Sequence, residues 1–244
     1  MLRLRPAARG VLALIVTLIA QRSAHAQNVG AGSQPSFGAL MLSTGMAMMS
    51  VDALNARMTS SQFAGLSNDA VSYGVSGRFA YSRALIGAEF NRSAYGEEGL
   101  NNGRTDDLSS VQGAITVGYA VLSTTHLSIF PEVGAGLGMV NVVLRDRNGV
   151  QSAAVEPSFD EIAQTPGPES TLSAKALLYS FGGGADYLIA PRGARKGVVF
   201  GLRAGVLASP NRAIWTRGGQ SVSAGPDVGP GGRYLRLMVG LGGR

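Results

Sequence analysis

The chain has 244 residues, 21 of them basic and 15 acidic, and no cysteine. Without cysteine there is neither a disulfide framework nor a thiolate metal site. The formal charge of +6 is not a nucleic-acid footprint, which needs basic residues clustered on one face; here they are scattered among turns, loops and one strand face.

Residues 1–10 carry Arg3, Arg5 and Arg9, residues 11–20 (VLALIVTLIA) are apolar, and Ala24-His25-Ala26 fits a small-x-small cleavage site. This is the pattern of a secretory signal peptide over residues 1–26, with a mature start near Gln27. The apolar run is too short to cross a bilayer, which takes about 20 residues. Cleavage removes four arginines, Arg22 included, and leaves 17 basic residues against 15 acidic. No later segment has the length and apolarity of a membrane helix. A membrane protein of this composition has to be a closed barrel, because only helices and barrels satisfy their backbone groups in lipid.

Residues 27–37 contain Gly, Ser and Pro without periodicity and are predicted to form a flexible periplasmic arm, followed by one domain over residues 38–244. The first strand is placed at 38–54, with poor alternation. A polar loop follows over 55–69. Residues 70–82 alternate clearly, with Val71, Tyr73, Val75, Phe79 and Tyr81 on one parity. After a short turn, 85–95 returns with Ile86, Ala88 and Phe90 opposite Gly87, Glu89 and Asn91. Residues 96–110 (GEEGLNNGRTDDLSS) read as a charged loop.

Residues 111–143 form the clearest hairpin, turning at 123–126. Val111, Ile115, Val117, Tyr119 and Val121 share one parity of its first strand. Leu127, Ile129, Val133, Ala135, Leu137 and Met139 share one parity of its second. Residues 144–170 form the longest unpatterned stretch, and a loop of that length is usually functional or mobile. Strands follow at 171–189 and 198–208, joined by a basic turn. Residues 209–232 form a loop holding the single tryptophan, Trp215, and 233–242 is the last strand.

Successive strand side chains point to opposite faces. Each segment therefore has one bulky apolar face and one small or polar face. Eight such strands, with connections that alternate long and short, match a transmembrane β-barrel with short periplasmic turns, long external loops and both termini in the periplasm. A soluble sandwich has no reason to sort its loops by length in this way. The fold class expected is all-β, an eight-stranded antiparallel up-and-down transmembrane β-barrel in the bacterial outer membrane.

The parity split assigns every mid-strand charge to the small or polar side: Arg78, Glu89, Glu132, Asp186, Arg203 and Arg236. A charge facing lipid near the midplane costs roughly 2–4 kcal/mol, so this parity is the inward one. An eight-stranded lumen is just wide enough for side chains to fill. The balanced set is expected to form a lumen charge network that plugs the barrel, with inward glycines such as Gly87, Gly134, Gly182 and Gly184 making room. A narrow ion path through the same residues is the functional alternative. Nine aromatics, among them Tyr73, Phe90, Tyr119 and Phe200, lie on the outward parity, as interfacial bands do.

With the signal peptide through Ala26, the hairpin segment Phe130-Pro131-Glu132-Val133-Gly134-Ala135-Gly136-Leu137-Gly138 and the alternating residues 234–241, the chain resembles the small outer-membrane β-barrels that include the transmembrane domain of outer membrane protein A. The resemblance implies the barrel architecture and leaves activity open, since such relatives are anchors, adhesins and occasionally enzymes. It implies outer-membrane lipid and the assembly machinery as partners, and a monomer. The sequence departs from the pattern in ending Leu241-Gly242-Gly243-Arg244 where many relatives end in an aromatic residue. No peptidoglycan-binding sequence follows the strands, so wall anchoring is not expected.

For an enzyme, a nucleophile and a base must lie within hydrogen-bond reach. His126 is the one histidine of the mature chain and reads as an exposed turn residue beside Ser123, Thr124 and Thr125. The acid pairs Glu97-Glu98 and Asp106-Asp107 could bind a cation such as Ca²⁺, but solvated loop charges are the simpler reading. No catalytic site, cofactor or metal is expected. Arg92, Arg104, Arg145, Arg147, Arg212 and Arg217 are assigned to the external side, where guanidinium groups suit phosphorylated glycolipid such as lipopolysaccharide. The function expected is structural or surface-binding through the loops at 96–110, 144–170 and 209–232. A small pore for modest solutes is the alternative, and a lipid-modifying enzyme stands behind both.

Overall fold

The computed structural model describes residues 36–99, 103–147, 149, 157–192, 194–210 and 213–243, with the side chains of 96–99 set aside. The signal peptide and nearly all of the proposed periplasmic arm lie outside these residues. Eight strands close into a barrel: β1 (Ser36–Met48), β2 (Asp69–Tyr81), β3 (Ala84–Gly99), β4 (Arg104–Tyr119), β6 (Leu127–Asp146), β7 (Ser170–Ile189), β8 (Lys196–Ala208) and β11 (Gly232–Gly243). Each pairs antiparallel with its neighbour in sequence, and β1 with β11 completes the ring. Three short strands decorate it. β5 (Leu122–Ser123) lies on β6 at the periplasmic end, and β9 (Ile214–Arg217) with β10 (Gln220–Ser221) forms a hairpin on β7.

Side-chain orientation is inverted relative to a soluble protein. Leu42, Ile115 and Leu137 are each 66 % exposed, and all nine outward aromatics are exposed. Arg203 and Arg236 are fully buried. A continuous apolar band of this extent has no stable place in water. A sandwich would have buried the bulky parity against a second sheet. Closure of the ring turns it to lipid instead, and the barrel is a transmembrane one.

The strands differ in length, and the difference has a meaning. β1, β2 and β8 have 13 residues, whereas β6 and β7 have 20. A tilted strand crosses a bilayer in about 9–11 residues. The surplus of β3, β4, β6 and β7 rises as a wall at the end of the barrel away from the chain termini, the end that the sequence reading assigns to the external side. On this wall the parity reverses. Leu108, Val140, Val142, Leu144 and Leu172 face inward and are fully buried, while Ser109, Asn141 and Ser173 face outward.

The external connections pack against the inner side of that wall. Residues 38–54 do not form one strand, because β1 ends at Met48 and α1 (Asp52–Ser60) follows. Leu54 and Met58 are four residues apart, so they share the helix face that packs into the cap. Residues 96–110 are mostly strand. β3 runs to Gly99 and β4 starts at Arg104, with a bulge between Ala94 and Glu97. The register sets Glu97 opposite Asp107 and Glu98 opposite Asp106. Residues 144–170 hold the end of β6, the helix α2 (Phe159–Gln164) and the start of β7. Residues 209–232 hold the β9–β10 hairpin, where Trp215 is buried edge-on against Phe159 with centroids 5.2 Å apart.

Candidate functional site: a charged lumen between two apolar plugs

The lumen has three tiers. At the periplasmic end, Met41, Leu188, Val199 and Met238 form one apolar cluster and Ala80, Leu85, Ala120 and Phe130 another. The charges come next. Farther out lies a tier of short polar side chains, including Ser43, Ser72, Asn91, Ser110 and Gln112, beneath the external cap.

The structure gathers the six candidate residues into two groups. In the first, Arg78 donates from Nη2 to Glu132 Oε2 at 2.7 Å and from Nη1 to Asp186 Oδ2 at 3.0 Å. Arg203 donates from Nη2 to Asp186 Oδ1 at 2.6 Å and from Nη1 to the Leu202 carbonyl at 2.9 Å. Asp186 is thus held between two guanidinium groups. The four charges cancel, as a low-dielectric interior demands. The second group is looser: Arg236 Nη1 reaches the Glu89 carboxylate at 3.4 Å and 3.5 Å.

Two inward aromatics complete the arrangement. Phe130 lies between the cations, with the Arg78 and Arg203 guanidinium carbons 4.1 Å and 4.6 Å from its ring centre. Its signal was in the sequence, for it shares parity with Ser128 and Glu132. The Tyr234 ring lies 4.3 Å from the Arg236 guanidinium. Stacking on an aromatic face offsets part of the lost hydration of an arginine. Glycines supply the room. The Tyr234 hydroxyl would sit 2.6 Å from a Cβ at Gly205, and Arg203 Nη1 2.7 Å from one at Gly184.

The other singled-out residues are dispersed. His126 stands in the periplasmic turn and lines a cleft of about 60 Å³ with Ser123, Ser128 and Asp186. This brings hydroxyl, imidazole and carboxylate to one place without a relay. His126 Nδ1 is bonded to the Leu188 carbonyl at 3.1 Å, and both Asp186 oxygens are taken by arginines. Asp106 and Asp107 are adjacent on β4 and face opposite ways, so that pair does not chelate one ion, and the side chains of Glu97 and Glu98 lie outside those described. Among the described residues no group of three or more potential ligands could hold a metal.

Of the six external arginines, Arg104 is built into the cap. It pairs with Asp146 at 2.9 Å, bonds the Ser61 carbonyl and lies over Phe63. Arg145 pairs with Glu169 at 3.0 Å. Arg92 is in β3 rather than in a loop, Arg147 follows β6, Arg217 ends β9, and Arg212 is outside the described residues.

The sequence matches no protein-family model and no curated protein. Among solved structures it is similar to the attachment invasion locus protein Ail of Yersinia pestis, in complex with the heparin analogue sucrose octasulfate, at 11 % identity and a TM-score of 0.46, over 86 % of this chain and 99 % of that one. It is similar to a major outer membrane protein of Thermus thermophilus at 11 % identity and a TM-score of 0.49, over 85 % and 98 %. Neisserial surface protein A gives 11 % identity and 0.42, over 87 % and 99 %. The barrel architecture itself rests on the closed strand register described above.

Proposed function

We propose that the protein is a bacterial outer-membrane barrel, exported by the segment at residues 1–26, that acts as a structural or surface-presenting element and not as a pore or an enzyme. One observation carries this reading. The lumen is obstructed at every level, by two apolar clusters at the periplasmic mouth that leave only a cleft of about 60 Å³ ending at Asp186, a neutral ion-pair set above them and a folded cap outside. A pore of this strand number would need a continuous polar path, and each tier interrupts one. The external surface is held on α1, α2 and the β9–β10 hairpin, which favours presentation of a fixed shape over capture by mobile loops. Outer-membrane lipid and the assembly machinery are its expected partners, and a monomer suffices because the ring leaves no barrel strand unpaired.

Planar-bilayer recording tests the proposal directly. The full chain, folded into lipid and verified by heat-modifiable migration on a semi-native gel, is expected to give no stable single-channel step. A reproducible ohmic conductance would overturn the plugged reading and leave a small pore in its place.

A further inference from the structure

We propose that the outward face of β3, β4, β6 and β7 binds a phosphorylated glycolipid of the outer leaflet, with Arg92 and Lys175 as its phosphate ligands; this rests on the transmembrane reading above. The register lays three rows of outward side chains across these strands. The lowest is apolar: Phe90, Gly113, Leu137 and Leu177. The next is Arg92, Val111, Met139 and Lys175, with a cation at each end. Above it come Ala94, Ser109, Asn141, Ser173 and then Thr216 of β9.

These rows reproduce the layering of one kind of molecule. The apolar row suits acyl chains, with the Phe90 ring edge 3.9 Å from the place a Cβ at Gly113 would take. The cationic row suits phosphates. Hydroxyl and amide groups above suit sugar hydroxyls. The cations lie three strand spacings apart, or about 14 Å before side-chain reach. They therefore address two separated anionic groups.

Their level in the membrane is set by independent features. Just above the middle row, at the height of Ala94 and Ser109, inward residues change from polar to apolar, Ser93 to Tyr95 on β3 and Ser110 to Leu108 on β4. Outward residues change at the same height from the apolar row below to Ser109, Asn141 and Ser173, which marks the water interface. Arg92 is half-buried and Lys175 exposed. Arg92 Nε is shielded from solvent and has no hydrogen-bond partner among the described residues. The row itself holds no carboxylate, and the outward Asp107 stands two outward positions farther out. A charge-assisted contact from such a fork is stronger than a neutral one and matches the paired oxygens of a phosphate or a carboxylate.

The test uses the full chain in nanodiscs and lipid A as the probe, with dephosphorylated lipid A and phosphatidylglycerol as comparisons. The wild type is expected to retain lipid A in preference to both. The double variant R92Q/K175Q is expected to lose at least about tenfold in lipid A affinity and to bind the dephosphorylated form as the wild type does. Arg145→Gln, which removes a charge already paired with Glu169, is expected to leave affinity unchanged. Equal lipid A binding by the double variant, or equal retention of phosphatidylglycerol by the wild type, would overturn the proposal while the barrel stands. A wild type that neither inserts into vesicles nor shifts on heating would overturn this proposal and the membrane reading together.

Discussion

Within the apolar belt, β4, β6 and β7 carry polar residues inside and bulky ones outside; a few residues farther along, the same strands carry the opposite arrangement. Below the boundary, Glu132 and Asp186 face inward while Ile115 and Leu137 face outward. Above it, Leu108, Val142 and Leu172 face inward while Ser109, Asn141 and Ser173 face outward. The backbone is continuous through the change. Only the solvent differs, hydrocarbon at one height and water at the other. The two regions are therefore held by different forces. The lumen depends on matched charges in a low dielectric, where a lone ion is very costly. The cap depends on burial of apolar area, as in any soluble core. Damage to one should read out differently from damage to the other.

The largest effect is expected from breaking the charge match in the lumen. Asp186→Ala leaves Arg203 and Arg78 to share the single Glu132 carboxylate, which lies 4.0 Å from Arg203 Nε and 2.7 Å from Arg78 Nη2. Loss of one member of a buried pair costs about 3–5 kcal/mol. Urea unfolding in lipid, followed by heat-modifiable migration, should show that loss for the whole barrel. The double variant D186L/R203M removes charge in balanced amounts and is expected to recover most of the loss. If it is no better than the single change, charge balance is not what holds the lumen.

A smaller global effect is expected in the cap. Trp215 is buried, packs edge-on against Phe159 and donates from Nε1 to the Pro226 carbonyl at 2.8 Å. Trp215→Ala should cost about 3–5 kcal/mol locally. The cost falls on an element that can open while the ring of strands stays closed. Proteases added outside should cut within 209–231 while heat-modifiable migration persists. Unfolding of the barrel at the same denaturant concentration as cap cleavage would mean that the two regions are one cooperative unit.

The belt was legible because lipid enforces a strict two-residue alternation. Strands such as β2 and β8 could be placed within two residues of their observed ends, and all six lumen charges were selected by parity alone. The alternation also hid something. Met41, Phe130, Leu188 and Met238 are inward apolar residues, and a rule that reads the inside as polar passes over them. The cap was read as loops for a related reason. Its residues obey the soluble rule, so the parity signal reverses at Ser110 and Val140 and looks like noise to a search for one pattern. Lys175 escapes both patterns because it lies where they meet.

The smallest effect concerns one helix of the cap and sharpens how independently that region folds. The Ser158 hydroxyl accepts from the Glu161 N–H at 3.3 Å, and the Ser158 N–H donates to Glu161 Oε2 at 2.7 Å. This is a capping box at the start of α2. The Ser158 backbone N–H, and after it the Ser158 side chain, hold the Glu161 carboxyl below its ordinary value of 4.5, against a weaker opposing push from desolvation. A carboxyl with a depressed folded value stabilises the helix fully above the ordinary value and ceases to do so as pH falls through the depressed one. Hydrogen exchange at the amides of 159–164 should therefore be slow and constant above about pH 4.5. It should quicken, relative to the intrinsic rate, as the solution is made more acid. Glu161→Gln should flatten that dependence while leaving exchange in β6 and β7 as it was. If instead the strand amides lose protection along with α2, the acid step reports opening of the whole cap, and the helix is not separately anchored by its own first turn.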